Sequence, residues 1–391
     1  MSGGFRYGVI GAGRQGVATA YDMAGSGQSV LLADYDAQVA QQAAERINRL
    51  IGKPVATWQQ IDASNLDELV KALDGLDVFV CGTPFRFIPV VTEAALRAGV
   101  SMVDYGGHTP TVLEQIERSD EAQARGIAIV PDCGMGPGMN NTLGAYAVEL
   151  LENKGLTPRE VYLWDGGIPQ NPIPPWNYQS TFNINGLTNE YHGEVAFLRD
   201  GKIKMMRAFE ELEPIFFEGV GELEAFTTTG GTSTAPYTFE GKLQVYQNKT
   251  CRWPGHFAQF KAFQLLGLFE LEPVRVDGRE VVPRDVFHAL LEPKISALLV
   301  KDVCVMRAKG VGEDTNGTKR SVIIDLIDYY DEDTGFTAME RITGWHAGIM
   351  AELIARGVVQ PGAWPMEQAV RASTVMEKVR ERSFNVTVRW E

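Results

Sequence analysis

The sequence predicts an α/β fold in which a doubly wound parallel sheet is joined to a second α+β domain built on a mostly antiparallel sheet. Three observations predict it. An apolar run, Phe5 to Ile10, leads straight into Gly11-Ala12-Gly13-Arg14-Gln15-Gly16 and a helix-compatible segment, Val17 to Ala24. Apolar strands then alternate with helical stretches as far as about Pro137, the pattern of a parallel sheet covered on both faces. Beyond Arg159 that alternation is replaced by extended segments and hairpin turns.

The first of these is a Rossmann strand–turn–helix. Gly11 serves the tight turn, Gly13 lets a pyrophosphate approach the backbone, and Gly16 lets the helix pack close to the strand, with Ala12, Arg14 and Gln15 completing a loop that borders the cofactor. Phosphate then sits at the positive end of the helix. A second strand, Ser29 to Ala33, ends at Asp34, eighteen residues after Gly16, where an acid meets the adenosine ribose hydroxyls, with Tyr35 beside it. No arginine follows Asp34 until Arg46, and a carboxylate repels a 2′-phosphate. NAD is therefore expected over NADP.

A helix is expected over Ala37–Leu50 and an extended piece over 54–58. Ile61-Asp62-Ala63-Ser64 then caps a helix to about Asp74. Asp62 either reaches the adenine amino group or is an ordinary helix-leading aspartate. The strand Leu76–Cys81 ends in Gly82-Thr83-Pro84. Ligands lie beyond the carboxyl ends of such strands, so Cys81 to Pro84 are expected alongside the cofactor. Helix 88–98, strand 101–105, the loop Gly106-Gly107-His108-Thr109, a helix from Pro110 to Arg125 and a sixth strand, 127–131, follow. The loop from Asp132 to Asn141 carries three glycines at a strand's carboxyl end, which favours closure on the nicotinamide end over a plain linker; a helix runs on to about Asn153.

In the second domain Glu160–Trp164 reads as a strand, and the proline-rich stretch 165–176 as neither helix nor ladder. Asp200-Gly201 joins two hairpin strands, 196–198 and 203–206. Extended segments are expected at 243–253, 298–308 and 321–330, helices from Thr343 to before Gly357 and over 366–381, and a closing strand at 384–390. The expected division is a cofactor domain, 1–138 and about 343–365, and a substrate and dimerisation domain, 139–342 and about 366–391.

The chain has 391 residues and a net charge of −14, from 50 acids against 36 bases. That surface excludes nucleic acid and anionic membrane as partners. Met1 to Gly4 leave no room for a signal segment before the first strand, and no apolar run approaches a membrane span. A cytoplasmic protein is expected. The four cysteines are scattered without a Cys-x-x-Cys pair, and His192, His288 and His346 have no partner at ligand spacing, so no metal is expected.

Several stretches in order resemble one family. The dinucleotide loop, Val130 to Gly138, Gly166-Gly167-Ile168-Pro169, Gly219 to Phe226, Trp253-Pro254-Gly255-His256 and the segment from Ile327 to Met339 are similar to the saccharopine dehydrogenase-like proteins, and most to the branch with lysine 6-dehydrogenase. The resemblance implies a Rossmann domain interrupted by a substrate and dimerisation domain, a homodimer or larger homo-oligomer, and NAD-dependent oxidation of the terminal amine of lysine or a similar amine. His108 stands where the family's pattern has asparagine, and Trp253 where tyrosine is commoner.

Such a reaction moves a hydride from the amine-bearing carbon to nicotinamide, and water then hydrolyses the iminium. It needs a neutral amine, which for a pKa of about 10.4 costs roughly 4 to 5 kcal/mol at pH 7, and a negative group near the developing positive charge. Asp132, at the end of the sixth strand, is the expected negative group, and His256 the expected base. Tyr105 and His108 border the substrate, and Glu190, Tyr191, Glu224 and Arg252 suit an amino acid head group, glutamate for the ammonium and arginine for the carboxylate. Two alternatives stand beside this reading: a reductive enzyme joining an amine to a carbonyl, as saccharopine reductase or carboxynorspermidine synthase does, and a non-catalytic NAD-binding sensor.

Overall fold

The computed structural model describes residues 4–180, 184–297 and 299–391. Met1 to Gly3 of the expected N-terminal lead, and Leu298 at the start of the expected segment 298–308, lie outside the described residues. The first sheet has seven parallel strands in the order Ala56–Gln60, Ser29–Asp34, Arg6–Ile10, Val78–Cys81, Ser101–Asp104, Ala128–Val130 and Gly362–Ala363. Six of them form the doubly wound order read from the sequence, and the central ones are buried throughout because helices cover both faces.

The seventh strand is a correction. Gly362–Ala363 is only two residues long, too short for any periodicity, and it extends the sheet beside Ala128–Val130. The helix expected from Thr343 begins at Ala338, because Thr337 and Glu340 form a reciprocal capping box. The buried Asp302 carboxylate accepts from the Ala338 and Met339 amides at 2.7 and 3.0 Å, fixing that start further. This helix, Ala338–Ala355, packs along Arg14–Gly25 and so lies against the dinucleotide turn.

Three other expected helices differ locally. The helix after Asp62 is capped by Asn65, whose side chain accepts from the Glu68 amide, while Asp62 folds back on Ser64. The 110–125 stretch divides at Arg118 into Thr109–Glu117 and Ser119–Arg125. The 366–381 stretch divides into Met366–Ala369 and Ala372–Glu381, where the Glu149 carboxylate takes the Ala372 and Ser373 amides.

The second sheet has nine strands. Its main path runs Glu213–Phe217, Gly221–Thr227, Val245–Arg252, Thr157–Pro169, Asp302–Glu313, Lys319–Tyr329 and Asn385–Trp390, and the hairpin 194–199/202–207 joins at Val245–Arg252. All its pairings are antiparallel except that of Val245–Arg252 with Thr157–Pro169. The sequence reading stopped the Thr157–Pro169 strand at Trp164. The ladder continues through Gly166-Gly167-Ile168, because Pro169, the first proline of the 165–176 stretch, is the strand's last residue. Helix Met139–Asn153 lies on this sheet and buries Leu143, Ala147 and Leu151, each leucine contributing about 1.5–3 kcal/mol. The glycine-rich loop that precedes this helix therefore sits between the two sheets.

Candidate active site

The dinucleotide turn is shaped as a phosphate cradle. A Cβ at Gly16 would come within 2.0 Å of the Gly11 carbonyl oxygen, whereas one at Gly13 would meet nothing within 4 Å. Gly13 is the N-cap of Arg14–Gly25 and offers no side-chain cap, so the first helical amides face open space. A pyrophosphate fits there. The Ala12 amide donates to Asp34 at 2.8 Å, tying the turn to the end of the second strand.

A cavity of about 510 Å³ continues from this turn, walled by Asp34, Tyr35, Asp62, Gly82, Thr83, Pro84 and Arg86. Arg86 is a wall residue the sequence reading missed, having looked for cations only downstream of Asp34 in the second βα unit. Cys81 corrects the expectation for its side chain. It is buried in the core beneath the sheet against Thr83, and burial pushes its thiol up to about 12. Arg14 turns away to Glu340, 2.6 Å distant.

At the other end of the turn lies a cavity of about 230 Å³, which Gln15, Tyr105, Gly106 and the loop Gly134–Pro137 separate from the first sheet. From the second domain it receives Asp165, Glu190, Asn248 and Arg252. The Tyr105 hydroxyl is bonded to Thr19 Oγ1 at 2.6 Å, so its ring forms the wall. Arg252 is 3% exposed; its Nε donates to the Tyr191 hydroxyl at 3.0 Å and its Nη2 to Glu190 at 3.3 Å. The Tyr191 hydroxyl is also hydrogen-bonded to His256 Nε2, 2.9 Å away. Glu190 is pushed up to about 7 by burial, which Arg252 partly offsets. Asp165 rises to about 6 by burial, against the Asn248 hydrogen bond and Arg252.

Four expectations for this site are overturned. Asp132 does not wall the cavity: it is buried at φ +62°, accepts from Ser233 Oγ at 2.5 Å and from the Gly107 amide at 3.3 Å, and so joins the loop of the first domain to the second. His256 is fully buried, stacked on Phe260, and held neutral by burial and the Arg252 charge. Glu224, level with Arg252 in the ladder, spends its carboxylate on the Gly255 and Phe257 amides at the start of helix His256–Leu265. His108 caps helix Thr109–Glu117 through Nδ1 and stacks on Phe85, facing a neighbouring cavity. Tyr191 is buried behind the wall and acts on the cavity through Arg252.

Asp165 and Asn248 are the wall residues the sequence reading passed over. The signal was present, an acid closing an apolar run as at Asp34, but the prolines that follow drew the reading toward a loop. Among the described residues no group of three or more His, Cys, Asp or Glu side chains is arranged for a metal, and no helix is long and apolar enough to cross a membrane.

Burial, with Asp104 and Glu367 nearby, raises Asp132 to about 8. An unfolded aspartate ionises at about 3.9, so Asp132 contributes stability that is full below that pH and is lost as pH rises through 8. Asp132→Asn keeps the shape without the charge. Its melting temperature relative to the wild type is expected to climb between pH 5 and pH 9, and a gap independent of pH would contradict this account of the buried carboxyl.

Comparison with known proteins agrees with this architecture. Residues 7–130 match the domain described as "Saccharopine dehydrogenase NADP binding domain", and residues 134–384 match "Saccharopine dehydrogenase C-terminal domain". The chain is 22% identical over 53% of its length to the mitochondrial alpha-aminoadipic semialdehyde synthase of Rattus norvegicus, of which the match spans 23%. It is 23% identical over 37% of its length to the saccharopine dehydrogenase [NADP(+), L-glutamate-forming] of Saccharomyces cerevisiae, spanning 32% of that protein. The chain thus spans a quarter to a third of these relatives. Apo saccharopine dehydrogenase (L-Glu forming) from Saccharomyces cerevisiae superposes with a TM-score of 0.81 at 17% identity, over 99% of this chain and 100% of that one, and shares the fold.

Proposed function

The chain belongs to the saccharopine dehydrogenase family, as an oxidoreductase of that type, and from this premise we propose that it oxidatively deaminates the terminal primary amine of lysine or a similar amino acid or diamine with NAD. One observation carries the reading: the small cavity beside the dinucleotide turn collects two carboxylates, Asp165 and Glu190, and only one cation, Arg252, already paired. Two amide oxygens in its wall, Gln15 Oε1 and Asn248 Oδ1, are buried without partners. Four acceptors against one paired cation suit a protonated amine. Anions with several carboxylates are disfavoured there.

Glu190 and Arg252 take the far end of an amino acid, the carboxylate of Glu190 on its ammonium and the guanidinium on its carboxylate. The His256–Tyr191 pair fixes the guanidinium from behind. Gly11 to Gly16, Asp34 and Asp62 hold the dinucleotide, whose nicotinamide supplies the hydride acceptor. The loop Gly134–Pro137 and the ring of Tyr105 keep bulk water from the reacting carbon. NAD is preferred because two carboxylates, Asp34 and Asp62, line the ribose-side cavity against one guanidinium, Arg86, which lies over the Phe87 ring at 4.5 Å, and a carboxylate repels a 2′-phosphate. A homo-oligomer belongs to the proposal, with exposed Leu265, Leu266 and Leu290 as apolar surface for it to bury.

A second reading rests on the neighbouring cavity of about 560 Å³, which meets the first at Gly107 and Thr229 and has Arg284 and His192 in its wall. A reductive enzyme condensing an amine with a carbonyl substrate would use that space for the second arm. Appearance of reduced cofactor, followed with amines and amino acids near pH 7 and pH 10, decides between them. The expected result is lysine-dependent reduction that grows with pH and favours NAD over NADP by at least about tenfold, or ~1.4 kcal/mol. Silence with every amine, together with cofactor oxidation when an amine is paired with a keto acid or aldehyde, would replace the first reading with the second.

A further inference from the structure

We propose that Asp165 is the base that removes the proton from the reacting ammonium, and that Asn248 is the positioning residue that aims it. The inference rests on the amine-oxidation reading above. Among the described residues three charged side chains wall the cavity. Arg252 has no acceptor, and Glu190 is engaged with Arg252. Asp165 is left with a carboxylate oxygen to spare: Oδ1 accepts from Asn248 Nδ2 at 2.8 Å, while Oδ2 faces Gly136, where an added methyl would come within 2.4 Å.

Its setting is rigid. Asp165 lies within the longest strand of the second sheet, paired with Met306 on one side and Thr250 on the other. The Asn248 amide that donates to it has its own oxygen buried, without a partner, in the same cavity wall. One amide thus holds the base by its N–H and presents an acceptor to a substrate N–H. Asn248 is packed so closely that a Cβ at Gly231 would stand 2.2 Å from its nitrogen. The charged and titratable groups facing Asp165 are Arg252 and Glu190, together with the Cys251 and Cys304 thiols, which burial keeps neutral.

In the step, an N–H bond of R-CH2-NH3⁺ breaks and its proton passes to the Asp165 carboxylate, leaving the nitrogen lone pair. That pair forms the C=N bond as the neighbouring C–H pair leaves as hydride to the oxidised dinucleotide. Water adds to the iminium carbon and gives one proton to solvent. The proton on Asp165 passes to the carbinolamine nitrogen, the C–N bond breaks with its electrons going to nitrogen as the C=O bond forms, and the hydroxyl proton leaves with the nitrogen as ammonium. The same burial that raises the acid lowers the pKa of a bound ammonium, so the two approach each other inside the cavity.

The test uses the full chain with NAD and the best amine of the panel. Asp165→Asn is expected to lower kcat by about 10²–10⁴, to leave NAD affinity within twofold, and to abolish the acid limb of the kcat/KM profile, which the wild type shows near pH 6. Asn248→Ala removes the donor that holds the acid down, so that limb is expected to move to higher pH. An Asp165→Asn enzyme within tenfold of wild-type kcat with its acid limb in place would overturn the assignment while amine oxidation stands. A wild type that oxidises no amine would overturn the underlying reading, and the base with it.

Discussion

Replacing Arg252 with Met raises KM for the amine by about a hundredfold, or ~2.7 kcal/mol, and leaves cofactor affinity unchanged. The size follows from what the guanidinium holds. It bonds the Tyr191 hydroxyl, the Cys251 carbonyl and the Glu190 carboxylate at once, and both Tyr191 and His256 behind it are fully buried. Breaking one partner of a buried pair leaves the other uncompensated, a loss of about 3–5 kcal/mol in stability. Arg252 also lowers the Glu190 pKa, so without it that carboxyl stays protonated at neutral pH and its attraction for an ammonium is lost. The same variant therefore melts earlier and binds its substrate poorly. An Arg252→Met protein with wild-type KM would show that the amine's far end lies elsewhere, the cavity bounded by Arg284 being the place to look.

The second large effect is at the dinucleotide turn, where two glycines separate folding from binding. Gly16→Ala places a methyl within 2.0 Å of a backbone oxygen and 3.1 Å of Val9, and no side-chain movement relieves the first contact. Helix and strand must part, so NAD affinity falls by at least about a hundredfold and the melting temperature falls with it. Gly13→Ala meets nothing in the protein and fills only the space a pyrophosphate would use. It is expected to lose NAD binding while melting as the wild type does, a pairing checked by calorimetry with and without NAD. Full NAD affinity in Gly13→Ala would move the phosphates away from this helix.

Much of the first domain was legible because its central strands are buried on both faces and read as unbroken apolar runs between helices. Gly362–Ala363 was not, since a two-residue strand has no pattern of its own and is defined by its neighbour. That Asp34, Asp62 and the Gly82-Thr83-Pro84 turn come together in one cavity wall was legible, whereas Cys81 shows the limit of such reading: with both strand faces buried, position along the chain does not say which side chains reach a cavity. Asp132 and His256 carry the chemistry a base needs, yet their partners, Ser233 and Tyr191, lie 101 and 65 residues away in the chain. Asp165 presents the reverse case. Its role depends on Asn248, 83 residues on, and on the parallel pairing of two strands that no local pattern announces.

The most direct test of amine oxidation is the fate of the nitrogen. Lysine carrying ¹⁵N at its terminal amine, incubated with the protein and NAD, is expected to release labelled ammonium in one-to-one ratio with the NADH formed, while lysine labelled at the α-amine releases none. Labelled ammonium absent while NADH accumulates, or label retained in a larger secondary amine, would contradict oxidative deamination at this site.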